Sequence, residues 1–186
     1  APLAAASNPR QPYMEIEGRT GDPPEALQGN LMLPFWQQQD VFWFFDARGQ
    51  YDDDRAGEGN FGVARREKSS QDHFTTFYAF YDLRHTHSDN NFHQVTVGCE
   101  RMGIDWEWRN NGYLPTTDSK STGLAIAELD DVNDNIIVRQ GIERAYAGFD
   151  AEYGWRMWRL GGCGDHEIRG FLGGYYFDTD GAGFPS

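Results

Sequence analysis

From Tyr13 onward, polar and apolar residues alternate with a period of two. In "DVFWFFDARGQY", Trp43, Phe45, Ala47, Gly49 and Tyr51 share one face, and Phe42, Phe44, Asp46, Arg48 and Gln50 share the other. "FTTFYAFYDLRH" repeats the pattern, with Phe77, Ala79, Tyr81 and Leu83 opposite Tyr78, Phe80, Asp82 and Arg84. Phe149, Ala151, Tyr153, Trp155 and Met157 lie opposite Asp150, Glu152, Gly154 and Arg156, and Met14, Ile16 and Gly18 lie opposite Glu15, Glu17 and Arg19. Period-two alternation is the mark of strands with two unlike faces. It predicts nine strands, over 12–20, 26–36, 41–52, 60–68, 73–86, 92–102, 105–115, 146–159 and 166–178. They run from 9 to 14 residues, against a usual mode of about 5–6. Helical periodicity is nearly absent. Only Leu124 to Leu129 reads as a short helical turn.

The connections alternate too. "GDPPEA", "DDDRAGEG", "HTHSDN", "TTDSKSTGLAIAELDDVNDN" and "DTDGAG" are Asp-, Gly- and Ser-rich and in part long. "QQQD", "EKSSQ", "RMGID" and "LGGCGD" are short. An up-and-down meander sends every second loop to the same end. The expected fold is therefore all-β, an antiparallel up-and-down meander of about nine long strands. The small, polar start at 1–11 is expected to be a disordered segment, and 12–186 the β-domain.

Alternation alone fits two architectures. A soluble sandwich or barrel turns the apolar face inward and the charges to water. A transmembrane β-barrel turns the apolar face to lipid and the polar face to the lumen. Strands of about 9–11 residues suit a tilted membrane crossing. Tryptophan placement favours the membrane. Trp36, Trp43, Trp106, Trp108, Trp155 and Trp158 all flank short turns. Indole is amphipathic and collects at headgroup level, so these six would form an interface belt. The acidic clusters Asp52–Asp54, Asp89, Asp130, Asp131, Asp178 and Asp180 sit at the opposite end. On this reading Glu15, Glu17, Arg19, Asp46, Arg48, Asp82, Arg84, Asp150, Glu152 and Arg156 face the lumen. Asp46 and Arg48 would form an internal acid–base ladder with Asp82 and Arg84. Phe45, Tyr81, Tyr153 and Tyr175 would face lipid or a partner protein.

Net charge of −13 and a pI of about 4.6 argue against nucleic acid or an anionic surface as the main partner. No run of about 18 apolar residues suggests a membrane-crossing helix. "HTHSD" (His85–Asp89) has the look of a metal site but reads more simply as a polar hairpin loop. The Asp-rich loops lack the spaced ligands and fixed glycine of an EF-hand, so weak calcium binding is the most they suggest. There is no GxSxG, phosphate loop or CxxC. No catalytic residue, cofactor or metal site is assigned. Cys99 and Cys163 fall at the same end, but two to three strand spacings separate them, roughly 10–14 Å at about 4.8 Å each. A disulfide needs Cα atoms within about 7 Å, so two separate cysteines are expected.

"FFDARGQYDD…GNFGVARR", "YAFYDLRHT…NNFHQVTVGCE", "WEWRNNGYLP" and "GFDAEYGWRM…GGYYFD" resemble the N-terminal β-barrel of inverse autotransporters, the intimin and invasin family. The likeness runs from about Tyr13 to about Asp180. It implies a non-enzymatic bacterial outer-membrane barrel that translocates or anchors a C-terminal passenger, with short turns in the periplasm and Asp-rich loops outside. Its partners would be outer-membrane lipid and either a passenger or partner chains beyond this sequence. The resembled barrel has twelve strands against about nine here. The barrel is thus expected to be completed by further strands or another chain, or its sequence to be reused as an open sheet. The alternatives are a non-enzymatic β-sheet subunit, periplasmic or packed against other proteins in a membrane-associated assembly, and a barrel enzyme with its site in the mouth.

Overall fold

The computed structural model describes residues 11–19, 26–52, 56–70, 72–130, 135–160 and 166–178. The expected terminal segment 1–11 lies almost wholly outside them. Among the described residues, eleven strands follow one another: β1 (Tyr13–Arg19), β2 (Ala26–Gln38), β3 (Val41–Asp52), β4 (Gly57–Ser70), β5 (His73–His85), β6 (Asn91–Gly103), β7 (Trp106–Pro115), β8 (Lys120–Asp130), β9 (Asn135–Glu143), β10 (Gly148–Leu160) and β11 (His166–Phe177). Nine form one sheet in the order β1-β2-β3-β4-β5-β6-β7-β10-β11, and β8 and β9 form a separate ribbon. All pairings are antiparallel. The meander expected from alternation is the meander observed, and the sheet is open, since β1 and β11 do not pair.

Directly opposed residues of an antiparallel pair share a face. The rows therefore carry one face across the sheet. Phe45 opposes Leu33 and Val63, and Tyr81 opposes Phe61 and Val95. Asp46 opposes Met32 and Gly62, and Asp82 opposes Asn60 and Gln94. The sheet curls around the second, polar face. The buried residues among those described lie there: Met32, Phe42, Phe44, Asp46, Ala64, Thr76, Phe92, Thr96 and Gly154. The apolar face is convex and exposed, with Phe45 51% accessible and Phe61 54%. The core is thus a small aromatic cluster at one end of a polar hollow, Met32, Phe42, Phe44 and Ala64 with Tyr78 against it.

Within the nine-stranded sheet, the register shifts among the described residues, at Pro34/Trp36, Lys68/Ser70 and Arg156/Trp158, fall near the tight turns. A bulge inserts one residue and re-aims those beyond it. In β2 it keeps Leu33 and Trp36 on the face of Phe45 and Trp43, and the Phe35 ring sits 4.6 Å from that of Phe45. In β10 it puts Trp158 opposite Ile168, on the face of Trp155. Strict alternation would have sent both tryptophans inward.

The stretch 120–143 corrects the sequence reading. Leu124–Leu129 is not a helical turn but part of β8, which pairs with β9. A short apolar run cannot be told from helix by periodicity. Antiparallel pairing with 135–138 decides it, and Gly123, at φ 73°, falls within the register shift between Ser121 and Ala125. An isolated two-stranded ribbon is marginal in water. This one is tied at its base. Thr86 Oγ1 and Asn90 Nδ2 each donate to Glu143 Oε2 at 2.8 Å, and Asn90 Nδ2 also donates to the Ser121 carbonyl at 2.9 Å. The Asn90 bond, aided by Thr86, holds the Glu143 carboxyl below the usual carboxylate range. A depressed carboxylate contributes its stabilisation above the unfolded pKa and loses it as pH falls through the folded value. Protection of the amides in 120–125, measured against intrinsic exchange at each pH, should therefore fall as pH drops below about 4, near the ordinary glutamate value. Glu143→Gln should remove that pH dependence, and exchange that stays equally acid-sensitive would refute the tether.

Candidate functional site

Long strands and an alternating pattern place the charged residues in one hollow. A cavity of about 330 Å³ on the concave face is lined from β3 through β7, by Asp46, Arg48, Asn60, Arg66, Asp82, Thr96, Glu100, Arg109, Asn111 and Tyr113 among others. At its centre, Glu100 accepts from Arg66 at 3.0 Å and lies 3.8 Å from Arg109. Arg66 also donates to Thr76 Oγ1 at 2.8 Å. Its guanidinium lies over the Phe44 ring at 5.4 Å and the Phe42 ring at 5.9 Å. Beside it, Tyr78 donates to Asn111 Oδ1 at 2.5 Å, and Asn111 Nδ2 donates to Asp150 at 2.8 Å. Tyr113 also donates to Asp150, and Thr96 to Asp82. Each buried acid finds a donor, as burial of charge demands.

The expected ladder is only partly there. Arg48 bonds Asp46 of its own strand through two contacts, at 2.8 and 3.0 Å, and lies over the Phe80 ring at 5.2 Å. Asp82 forms no ion pair with Arg48 or Arg84 among the described residues. The register explains this. Asn60 of β4 stands between Arg48 and Asp82, and Gly62 and Phe80 continue the row of Asp46. Arg84 opposes Glu58 and Phe92 and is exposed at the long-loop end. Glu15 and Glu17 oppose Asn30 and Gln28 on the exposed β1 edge. Arg19 opposes Ala26 in the register, and its side chain lies outside the described residues. Asp150 and Glu152 oppose Asn111 and Arg109. Arg156 bonds Asp105 and lies 3.8 Å from Glu167, and Arg169 reaches Glu107 at 3.2 Å. Sequence reasoning missed Arg66, Glu100 and Arg109, the centre of the network. Their signal was available, since each falls on the polar phase of its strand.

The aromatic residues sort by face as well. Trp36 opposes Trp43, Trp106 opposes Trp155, Trp108 opposes Tyr153 and Trp158 opposes Ile168, all on the convex face near the tight turns. Tyr175 departs from expectation. It opposes Asp150 and so takes the concave-side face, and Tyr176, opposite Phe149, takes the convex one. Both phases of "GGYYF" carry aromatics, so alternation there does not specify a face. Cys99 is a free thiol on the convex phase, and Cys163 lies outside the described residues. His85 pairs with Asn91 at 2.9 Å and with Asp89 at 3.5 Å.

Gly98 makes the network possible. A Cβ there would meet the Tyr78 ring at 2.4 Å and Asn111 Oδ1 at 2.7 Å. The ring must cross bare backbone to reach Asn111. Gly98→Ala should cost about 1–3 kcal/mol, the usual overpacking range, in urea unfolding of lipid-reconstituted protein. Gly29→Ala, with nothing within 4 Å of its Cβ, should fall well below that. Equal effects would remove the close approach as the reason for the glycine.

A search of curated proteins finds no match to this chain. One solved structure, reported under "Unveiling the Mechanism Behind the in-meso Crystallization of Membrane Proteins", is similar in fold with a TM-score of 0.53 at 18% identity. The alignment covers 74% of this chain and 50% of that one, so this chain spans about half its length. The profile of the inverse autotransporter β-domain matches residues 22–159. That match takes in β2 through nearly all of β10, and with it both the apolar convex face and the polar hollow. The chain belongs to the inverse autotransporter β-domain family, whose members are outer-membrane β-barrel anchors.

Proposed function

We propose that this β-domain anchors and exports a passenger polypeptide, with its tight turns in the periplasm and its long loops outside the cell. The observation that carries the reading is the inverted distribution of polarity. The exposed convex face is apolar and bears all six tryptophans at one rim, and the concave face holds a hydrogen-bonded ionic network. A soluble sheet would bury the first and wet the second. Here Glu15, Glu17, Arg19, Asp46, Arg48, Asp82, Arg84, Asp150, Glu152 and Arg156 belong to the lumen wall, and Trp36, Trp43, Trp106, Trp108, Trp155 and Trp158 to the interface belt. The role is non-enzymatic.

Closure follows a parity rule. Nine alternating strands leave both edges, β1 and β11, running in the same direction. Hydrocarbon tolerates no open edge. Fully antiparallel closure therefore takes an odd number of additional strands, the outer two running opposite to β1 and β11; a second copy in the same orientation supplies nine strands, but its edges run parallel to these. The open edges favour, as a second reading, a sheet subunit completed by partner chains in a membrane-associated assembly.

The test uses the protein as its cells make it, with an epitope inserted at Arg55 or at Ile104. Outer-membrane recovery is expected, with the Arg55 epitope reached by antibody on intact cells and the Ile104 epitope only after permeabilisation. External proteinase should also release a passenger polypeptide. Lack of any externally cleaved polypeptide would overturn the passenger role, and recovery with soluble or peripheral partners would favour the second reading.

A further inference from the structure

Arg101 lies outside the lumen network, on the convex face near the tight turns. It stands near the end of β6, between Thr75 and Trp108 in the register. Its phase is that of Val95 and Val97, the convex one. Arg48, Arg66, Arg109, Arg156 and Arg169 each pair with a carboxylate. Arg65, the convex-face arginine beside Trp43, pairs with Glu67 at 2.8 Å. Arg101 makes no ion pair among the described residues. Its guanidinium lies over the Trp106 ring at 5.4 Å, and its Nε is buried without a hydrogen-bond partner.

The surroundings hold it in place. The His73 ring packs against Trp106 with centroids 4.7 Å apart. Gly103 permits this, because a Cβ there would meet His73 Cδ2 at 2.5 Å. Ser69 and Thr75 bond each other at 2.8 Å across the neighbouring strand pair, adding hydroxyls to the same rim. The result is a guanidinium stacked on Trp106 with its Nε unpartnered, framed by the tryptophans that mark headgroup depth.

We infer that Arg101, stacked on Trp106, binds the phosphate of an anionic phospholipid headgroup at the tight-turn rim. The inference rests on the barrel reading above. A cation on a lipid-facing surface needs a counter-charge. The guanidinium fork matches phosphate oxygens, and stacking on indole pre-organises it at a small entropy cost. Generic attraction cannot supply the selectivity, because the chain carries a net charge of −13 and repels an anionic surface as a whole. The selectivity has to be local.

The protein is reconstituted in vesicles of equal phosphatidylglycerol and phosphatidylethanolamine, its insertion is checked by protease protection, and retained lipids are counted by native mass spectrometry. Phosphatidylglycerol should be retained about fivefold over phosphatidylethanolamine, the effect of roughly one interfacial cation. Arg101→Gln should abolish that preference and leave insertion intact, and Arg101→Lys should keep part of it. Excess inorganic phosphate should leave the retained lipid in place. Displacement by phosphate would show a free-anion site and overturn the lipid assignment, as would equal retention of the two lipids or a preference that survives Arg101→Gln. Absence of insertion in any vesicle would sink the barrel reading and the site with it; insertion without preference sinks the site alone.

Discussion

Glu100→Ala should destabilise the reconstituted protein by about 3 kcal/mol, toward the low end of the cost of stranding a buried partner. Glu100 is 13% exposed and pairs with Arg66, which is 24% exposed. Removing the carboxylate leaves Arg66 with Thr76 and two aromatic rings but no counter-charge. Arg109, half exposed, contributes little. The comparison is Glu67→Ala on the convex face, where the Arg65–Glu67 pair is part-exposed, at 33% and 44%, and worth about 0–1 kcal/mol. Urea titration of both variants decides it. If the two shifts are equal, the hollow is no more than a wet surface. A double cycle with Arg66→Gln should recover most of the loss, because the stranded charge is gone.

Phe61→Arg should cost about 2–4 kcal/mol for insertion at mid-bilayer depth, and Asn60→Arg should fall well below that. The two positions are adjacent in β4 and differ only in face. Phe61 lies opposite Ala47 and Tyr81 on the apolar side, and Asn60 opposite Arg48 and Asp82 on the polar one. Propensity and depth are nearly matched, so the difference isolates what each face touches. Folding titrations into phosphatidylcholine vesicles measure it. An inverted order, with Asn60→Arg the costlier change, would mean that the polar side is the packed core of a soluble sheet.

The candidate site was legible in outline and wrong in its centre. The sequence marked Asp46 and Arg48 because they interrupt aromatics, and they do form a pair. It paired them with Asp82 and Arg84 by analogy between two similar strands. Register, not similarity, selects cross-strand partners, and the register through β4 puts Asn60 between Arg48 and Asp82 and Gly62 between Asp46 and Phe80. Glu100 and Arg66 went unnoticed because neither stands out locally. They lie 34 residues apart in the chain and meet only because β5 stands between β4 and β6.

The sequence by itself determined the strands, their antiparallel order and, over most of their length, which residues share a face. A period of two is a local steric property of extended backbone, and short turns make sequence neighbours into sheet neighbours. Tertiary structure alone decided the rest. The Pro34/Trp36 and Arg156/Trp158 bulges keep Trp36 and Trp158 on the convex face against the alternation. The β8–β9 ribbon forms because "NIIV" finds a partner that local periodicity could not distinguish from a helical turn. Glu143 settles on Thr86 and Asn90, more than 50 residues upstream. In each case the outcome depends on a contact between distant segments, and no local pattern encodes the energy of a contact that only the folded sheet creates.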